Sequence, residues 1–301
     1  MSLSCNLCNS TDRQAVCRKT SSSGQSVEVV RCPRCKLMVI HPFPDSPAIK
    51  NLYNGDYFHC PSPVQGGYEN YIEDEPNIKK TFLRRWKLLE DRLSKSTKPM
   101  AALDIGCATG VFLEILKEKG WNVRGIDVSP FAVNAARAKN LDVAEGNLES
   151  VSLRQESFNL ITLWDVIEHL EDPLGTLQAC HRLLKPGGCL ALSTPDASAW
   201  LARLLGSYWL GFQSVGEHLY FFTRDTISAM LIRAGFQVLG IHPVGKYLSL
   251  DRIITRLCHY TRVFRPLYLL HRLHPHLKLY ANSGDTMCVI ARKIPAQKVI
   301  I

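Results

Sequence analysis

Leu103-Asp104-Ile105-Gly106-Cys107-Ala108-Thr109-Gly110 and, a little further on, Gly125-Ile126-Asp127-Val128-Ser129 decide the reading of this chain. The first stretch reads as an apolar strand that ends in an acidic residue and a Gly-rich turn. A helix is expected from Val111 to about Lys119. The second stretch reads as another apolar strand closed by a carboxylate. Strand, glycine turn, helix, strand and acid in that order build a nucleoside site. Glycines let the backbone approach the ligand, and the second carboxylate accepts hydrogen bonds from the two ribose hydroxyls. A dinucleotide site wants a third glycine, so that a helix N-terminus can meet a pyrophosphate. Here that glycine is absent and Asp104 opens the loop, which suits a cationic ligand better than a diphosphate.

S-adenosylmethionine, with its ammonium and sulfonium, is such a cation. Further segments follow in order. They are Glu145-Gly146-Asn147-Leu148-Glu149, the run Phe158-Asn159-Leu160-Ile161-Thr162-Leu163-Trp164-Asp165-Val166-Ile167-Glu168-His169-Leu170, and Leu183-Leu184-Lys185-Pro186-Gly187-Gly188. With these motifs, most of residues 99–293 resembles the class I S-adenosylmethionine-dependent methyltransferases. The resemblance implies a Rossmann-like α/β fold with a mostly parallel sheet and an antiparallel edge hairpin. It implies that Asp127 holds the ribose, Gly106 and Gly110 the methionine side, and Asn147 and Leu148 the adenine edge. Asp104, Cys107, Val128 and Trp164 complete the implied cofactor set, with Cys107 offering its backbone amide. One departure stands out: the family's middle loop glycine is Ala108, a small residue that should still fit.

The coarse order of elements alternates. Strands are expected to end near Asp104, Asp127, Ala144, Trp164 and Thr194, with helices near 111–119, 130–139, 173–184 and 224–234. Asp172-Pro173 is a good helix start, and Gly187 is read as the stop of that helix. Strands alternating with helices imply a parallel sheet covered on both faces. Gln237–Val244 and Thr286–Arg292 would supply the edge hairpin, with an insertion between them. At 301 residues there is ample chain for a core, and 46% hydrophobic content fits an ordinary globular protein. No apolar run reaches the length of a spanning helix, and no basic-then-apolar leader opens the chain, so a cytoplasmic location is expected.

Eleven cysteines, an odd number, favour reduced thiols and a metal site over disulfides. Cys5-x2-Cys8 and Cys32-x2-Cys35 form two knuckles around an expected strand at Val27-Glu28-Val29-Val30, the pattern of a four-thiolate structural zinc ribbon over residues 1–45. So small a unit has too little core to fold without the metal. Cys17 and His41 are substitute ligands in this reading. Residues 46–98 are read as a linker and helical lid. Its aromatics (Tyr53, Tyr57, Phe58, Tyr68, Tyr71) either pack on the main domain or close over the ligands. A helix from Asn77 to about Leu93 carries Phe82, Trp86 and Leu89 on one face. Residues 99–301 form the cofactor-binding domain, with a basic helical insertion at 245–281.

Charge is distributed unevenly. Residues 1–45 hold six basic and three acidic side chains, residues 245–281 hold seven and one, and these segments account for the whole net charge of +9. Within 247–280, Leu250, Ile253, Ile254, Leu257 and Phe264 fall at helical spacing, with Arg252, Arg256, His259 and Arg262 largely elsewhere on the wheel. Such a helix either packs on the core or meets an anionic surface, a membrane leaflet at the inner face or a phosphate-bearing substrate.

Methyl transfer from a sulfonium needs alignment, exclusion of water and, for a hydroxyl acceptor, removal of a proton. Glu168 and His169, just past the fourth core strand, and His218, in the segment after the fifth, are the candidate catalytic residues. Asp196 is read as a helix cap. Asp165-x2-Glu168-His169 is also similar to the acidic-x2-Glu-His cluster of quinone-biosynthesis O-methyltransferases, where the resemblance implies a divalent cation. The leading expectation is an O-methyltransferase with a zinc-ribbon front end, acting on a sugar, a lipid-linked glycan or another small metabolite. An RNA base methyltransferase is the first rival. Against it, the base-methylating Asn-Pro-Pro-aromatic type of motif is absent, and Trp164-Asp165-Val166 stands in its place. No basic-aromatic interleave specific for nucleic acid is evident either. A cofactor-binding scaffold without chemistry is the second rival, opposed by the intact Asp104, Gly106, Gly110 and Asp127.

Overall fold

The computed structural model describes residues 4–21, 24–45, 49, 71–93, 100–267 and 277–294. The aromatic run from Tyr53 to Tyr68 and the stretch at 268–276 lie outside the described residues. Three strands open the chain: β1 (Gln14–Thr20), β2 (Ser26–Arg31) and β3 (Met38–His41). Helix α1 (Tyr71–Leu89) follows. Strands and helices then alternate through β4 (Ala101–Ile105), α2 (Val111–Glu118), β5 (Asn122–Asp127), α3 (Pro130–Ala138) and β6 (Val143–Glu145). The second half runs β7 (Phe158–Trp164), α4 (Pro173–Leu183), β8 (Leu184–Pro195), α5 (Trp200–Leu205), β9 (Tyr220–Phe221) and α6 (Arg224–Arg233). Last come β10 (Phe236–Pro243), β11 (Lys246–Ser249), α7 (Leu250–Tyr260), β12 (Lys278–Ala281) and β13 (Thr286–Lys293).

The main sheet has the order β10-β13-β8-β7-β4-β5-β6. From β6 to β8 all neighbours are parallel, while β13 runs antiparallel to both β8 and β10. The chain therefore moves outward from β4 to β6, then returns to the other side of β4 with β7. Open α/β sheets bind ligands at such a reversal, beyond the strands' carboxyl ends. Both faces are apolar because both are covered. Leu103, Ile105, Ile161, Leu163, Leu190 and Leu192 share a core with Leu177 of α4 and Met230 of α6. The alternate positions Ala102, Leu160, Trp164 and Ala191 pack with Trp86 of α1 and Phe112 of α2. Period-two alternation of two apolar sets is what a doubly covered strand requires.

Three local expectations change. Helix α1 begins at Tyr71, not Asn77, and carries Pro76 inside it. Proline normally marks a helix boundary, which conceals this early start. Helix α4 stops at Leu183, and its cap Leu184 is already extended. Gly187, read as the stop, instead lies within β8 with φ of 75°. There the register against β7 slips between Phe158 and Leu160, so its freedom serves an irregular strand start. Finally, Lys246–Ser249 pairs with Lys278–Ala281 as a two-stranded ribbon before the insertion's helix begins.

The front end does not stand apart. β1, β2 and β3 form an antiparallel sheet, and β9 adds its fourth strand, with Met38 opposite Phe221 and Val39 opposite Tyr220. Val29, Ile40 and Leu219 belong to the same hydrophobic core as the main sheet. In the insertion, α7 buries Ile254, Arg252 donates to Asp74 of α1 at 2.7 Å, and the Tyr247 N–H donates to Thr81. Its apolar side thus faces the protein. The side chains of Arg256, His259 and Arg262 lie outside the described residues.

Candidate active site

The cofactor-side residues gather at the carboxyl ends of β4 and β5. Asp127 is buried, and each of its oxygens accepts one backbone N–H, from Ala108 at 2.8 Å and from Ser129 at 2.9 Å. A carboxylate oxygen has room for a second hydrogen bond, so this anchoring leaves acceptor capacity. Burial raises the pKa of Asp127. Asp104 is also buried, accepts from the Thr162 hydroxyl at 2.6 Å, and is pushed up to about 7 by burial, with Asp127 adding to the effect. The Gly106 and Cys107 amides both donate to the Ile126 carbonyl, which locks the loop onto β5. The Cys107 amide therefore already has a partner. Its thiol is buried and its pKa raised by that burial, and a Cβ on Gly125 would come within 2.6 Å of the sulfur.

Gly106 has φ of 69° and so close an approach to Val166 that a Cβ would come within 2.4 Å. Ala108 takes a left-handed conformation at φ 47°, which costs an alanine about 1 kcal/mol. Helix α1 clamps this loop. Glu75 accepts from the Thr109 hydroxyl at 2.5 Å and from Lys139 at 2.7 Å, and Tyr71 packs with Ala132, beside Ala108 and Phe131. Val128 is exposed just beyond Asp127. Asn147 is exposed and its side chain accepts the Ser150 N–H, while Leu148 packs against the main core. Trp164 is buried among Phe82, Phe112 and the Arg85 guanidinium.

The opposite side of the reversal, past β7 and β8, brings the acceptor-side candidates together. The His169 and His218 rings meet edge to face with centroids 4.8 Å apart. His169 Nδ1 lies 2.9 Å from the Glu217 carbonyl and donates to it, which leaves Nε2 as the basic nitrogen. That nitrogen is 3.9 Å from Glu168 Oε1. His218 Nδ1 faces the Gly211 carbonyl at 3.3 Å. Burial lowers His169 to about 4 and His218 to about 3, so both rings are neutral at physiological pH. Burial and the charge of Asp165 raise Glu168 to about 8.

Asp165 does not join this group. It sits at φ 56°, and its side chain is held by Lys246 at 2.8 Å, Arg85 at 3.4 Å and the Ser193 hydroxyl at 2.8 Å. Burial favours its neutral form, but Lys246 and Arg85 overcome this and hold the carboxyl well below the usual range. The cluster able to hold a cation is thus Glu168, His169 and His218, whose ligand atoms all lie within 4.8 Å of one another. This corrects the expected set Asp165, Glu168 and His169: two cations have already claimed the aspartate. Asp196 does not cap a helix either. It accepts from Ser198 and from Arg224 at 2.8 Å, while α5 starts later, with Ala199 as its cap.

Cys5, Cys8, Cys32 and Cys35 converge as the two knuckles require. Cys5 and Cys35 sulfurs are 3.4 Å apart, and Cys8 and Cys32 sulfurs 3.5 Å. Tetrahedral zinc, at about 2.3 Å from each sulfur, wants neighbouring sulfurs about 3.8 Å apart, so the donor set fits with small adjustment. Each knuckle is followed by a non-glycine residue at positive φ, Asn9 at 60° and Lys36 at 68°, which gives the two turns matching geometry. Cys17 lies in β1 opposite Val29, and His41 pairs with Arg13, so neither substitutes. One knuckle also touches the acceptor side: Asn6 donates to Asp172 and accepts from the Leu174 N–H, and Arg233 donates to the Leu7 carbonyl.

Arg85 and Lys246 were not singled out from the sequence. The one available signal was an arginine in the Thr81, Arg85, Leu89 row of α1, where an apolar stripe would continue. No helix among the described residues is long and apolar enough to cross a membrane.

Residues 78–241 match the family model described as a methyltransferase domain. The ubiquinone biosynthesis O-methyltransferase of Pseudomonas aeruginosa is 32% identical over 165 residues, covering 49% of this chain and 71% of that enzyme. The enzyme of the same name from Paracidovorax citrulli is 34% identical over 195 residues, 61% of this chain and 71% of its own length. Among solved structures, a putative methyltransferase from Bacillus halodurans superposes with a TM-score of 0.52 at 15% identity, covering 72% of this chain and 100% of that one. An S-adenosylmethionine-dependent methyltransferase from Archaeoglobus fulgidus gives 0.51 at 19% identity, covering 74% and 99%. Strand order, the glycine loop between two carboxylate-tipped strands, and the family match agree, and the chain belongs to the class I S-adenosylmethionine-dependent methyltransferases.

Proposed function

We propose that this enzyme methylates a hydroxyl oxygen of a small-molecule acceptor, and that the acceptor lies against the Glu168, His169 and His218 cluster. The observation that carries this reading is the largely buried imidazole pair at the end of β7, with His169 Nδ1 turned to the Glu217 carbonyl and Nε2 3.9 Å from Glu168. The named relatives are O-methyltransferases, which favours oxygen over nitrogen or carbon. A sugar or glycan acceptor finds no such support.

When bound, S-adenosylmethionine supplies an electrophilic methyl on sulfur. The remaining roles belong to the chain. Asp127 would accept hydrogen bonds from the ribose hydroxyls. The loop from Gly106 to Gly110 approaches the amino-acid portion closely, with Asp104 below it as counter-charge. Leu148 and Asn147 border the adenine, and α1 with Trp164 excludes water. His169 Nε2 takes the hydroxyl proton as the oxygen attacks. Glu168, whose carboxyl lies 3.9 Å from that nitrogen, borders the same spot, and His218 holds the ring's orientation edge to face. General-base help of this kind is worth about 10²–10⁴-fold in rate. The four cysteines would hold a zinc ion in a structural rather than a catalytic role.

A second reading rests on the same cluster. One carboxylate and two imidazoles suit a divalent cation, which would orient the acceptor oxygen in place of a base. The deciding experiment supplies methyl-13C-labelled cofactor with hydroxylated acceptors, before and after chelation and with magnesium or zinc returned. Oxygen-methylated product, identified by the carbon shift of the new methyl, supports the reading. Label found only on nitrogen or carbon overturns it. With the cysteine site reloaded with zinc, activity that does not depend on added magnesium favours the base, and activity that requires magnesium favours the cation.

A further inference from the structure

A separate cavity of about 220 Å3 lies between α1, the turn from β10 into β11, and the end of β12. Strand β10 runs parallel to β8, so its end, Pro243, reaches the same edge of the sheet as the catalytic crevice. Arg84, Arg85, His242, Tyr280 and Asn282 are among its lining residues, and no carboxylate among the described residues lines it. Arg84 lies over the Tyr280 ring with its guanidinium carbon 4.1 Å from the centroid. The Tyr280 hydroxyl is fixed in turn by accepting the Gly245 N–H at 2.8 Å. Stacking orients a guanidinium without consuming its five N–H donors, which is how arginine is presented to a planar or tetrahedral oxyanion.

Arg85 forms the wall towards the crevice. Its terminal nitrogens reach Ser193 and Asp165, while its buried Nε has no hydrogen-bond partner. Buried His242 Nε2 also lacks a partner. Groups of this kind are costly to leave unmatched inside a protein. The charge count points the same way. Asp165 offsets only one of Arg85 and Lys246, and Arg84 makes no ion pair among the described residues. A roomy cavity with surplus positive charge and one pre-oriented guanidinium is built for oxygen anions.

We propose that this cavity binds a phosphate or carboxylate group, with Arg84 as its main contact. The group is either carried by the acceptor, an extension that rests on the O-methylation reading, or bound as a free anion. The test uses the full chain and two substitutions, R84Q and H242Q, neither of which touches the catalytic cluster. Inorganic phosphate titrated by calorimetry should bind at one site and weaken at least tenfold in R84Q, with a smaller loss in H242Q and unchanged S-adenosylmethionine affinity. Matched acceptors with and without a carboxylate separate the sources. If the acceptor carries the group, phosphate competes with it, and R84Q raises KM at least tenfold for the anionic member alone. If the anion is free, phosphate binds without competing. Phosphate binding that is absent, or equal in wild type and R84Q, overturns the proposal. Phosphate binding that depends on Arg84 in a protein that transfers no methyl to oxygen sinks the functional reading and leaves the anion site standing.

Discussion

The two sides of the β4–β7 reversal are built in opposite ways. The cofactor side is local: Asp104, Gly106, Gly110 and Asp127 come from one strand-loop-helix-strand unit, and their positions are set by backbone hydrogen bonds within it. The acceptor side is composite. Arg85 comes from α1, Asp165 and His169 from beyond β7, His218 from before β9, and Lys246 from the insertion. One side is thus a contiguous stretch of chain, and the other is assembled from pieces that can change independently. Loops on a rigid sheet are where such variation is tolerated.

The contrast can be broken most sharply at Asp127. D127A removes hydrogen bonds to a charged acceptor worth about 1.5–3 kcal/mol each, so cofactor affinity should fall about 10²–10⁴-fold with the fold retained. Calorimetry with circular dichroism reads both, and unchanged affinity would remove the ribose role. H169Q should do the reverse, lowering kcat about 10²–10⁴-fold while cofactor binding stays within a few fold. A matching loss of cofactor affinity would mean that the two sides are not separable. C35S, or zinc removal by chelator, should cost turnover about tenfold or more through the docked ribbon, again with cofactor affinity nearly intact. Equal activity in the metal-stripped protein would detach the ribbon from the acceptor side.

The smallest effect concerns pH. Burial keeps Asp104 protonated up to about 7 in the free protein. Its folded pKa lies above the unfolded value of about 3.9, so its contribution to stability is full below that value and is lost as pH rises through about 7. A bound cation favours the carboxylate, so cofactor affinity should rise with pH up to the same point and then level. Melting temperature and affinity measured across pH 4–8 should both flatten at this step in D104N.

Legibility in the sequence follows the same divide. The alternation of strands and helices, the glycine loop and Asp127 could be read because each lies within a short contiguous pattern with a strong period. The cysteine knuckles could be read because two short spacings suffice. Arg85 and Lys246 could not, because a salt bridge between residues far apart in sequence leaves no periodic trace. Asp165 was misassigned for the same reason: its partners decide its role, and neither is near it in the chain. Strand β9 is two residues long, below what alternation can reveal.

That short strand has a practical outcome for anyone hoping to treat the cysteine-rich front end as an interchangeable module. Cutting the chain at residue 45 would strip Tyr220 and Phe221 of their only sheet neighbour among the described residues and bare an apolar rim beside the histidines. Unsheltered strand rims recruit other chains. A trimmed enzyme should therefore self-associate before it reveals anything about catalysis, and any transplant of this front end onto a related scaffold must carry the receiving dipeptide with it.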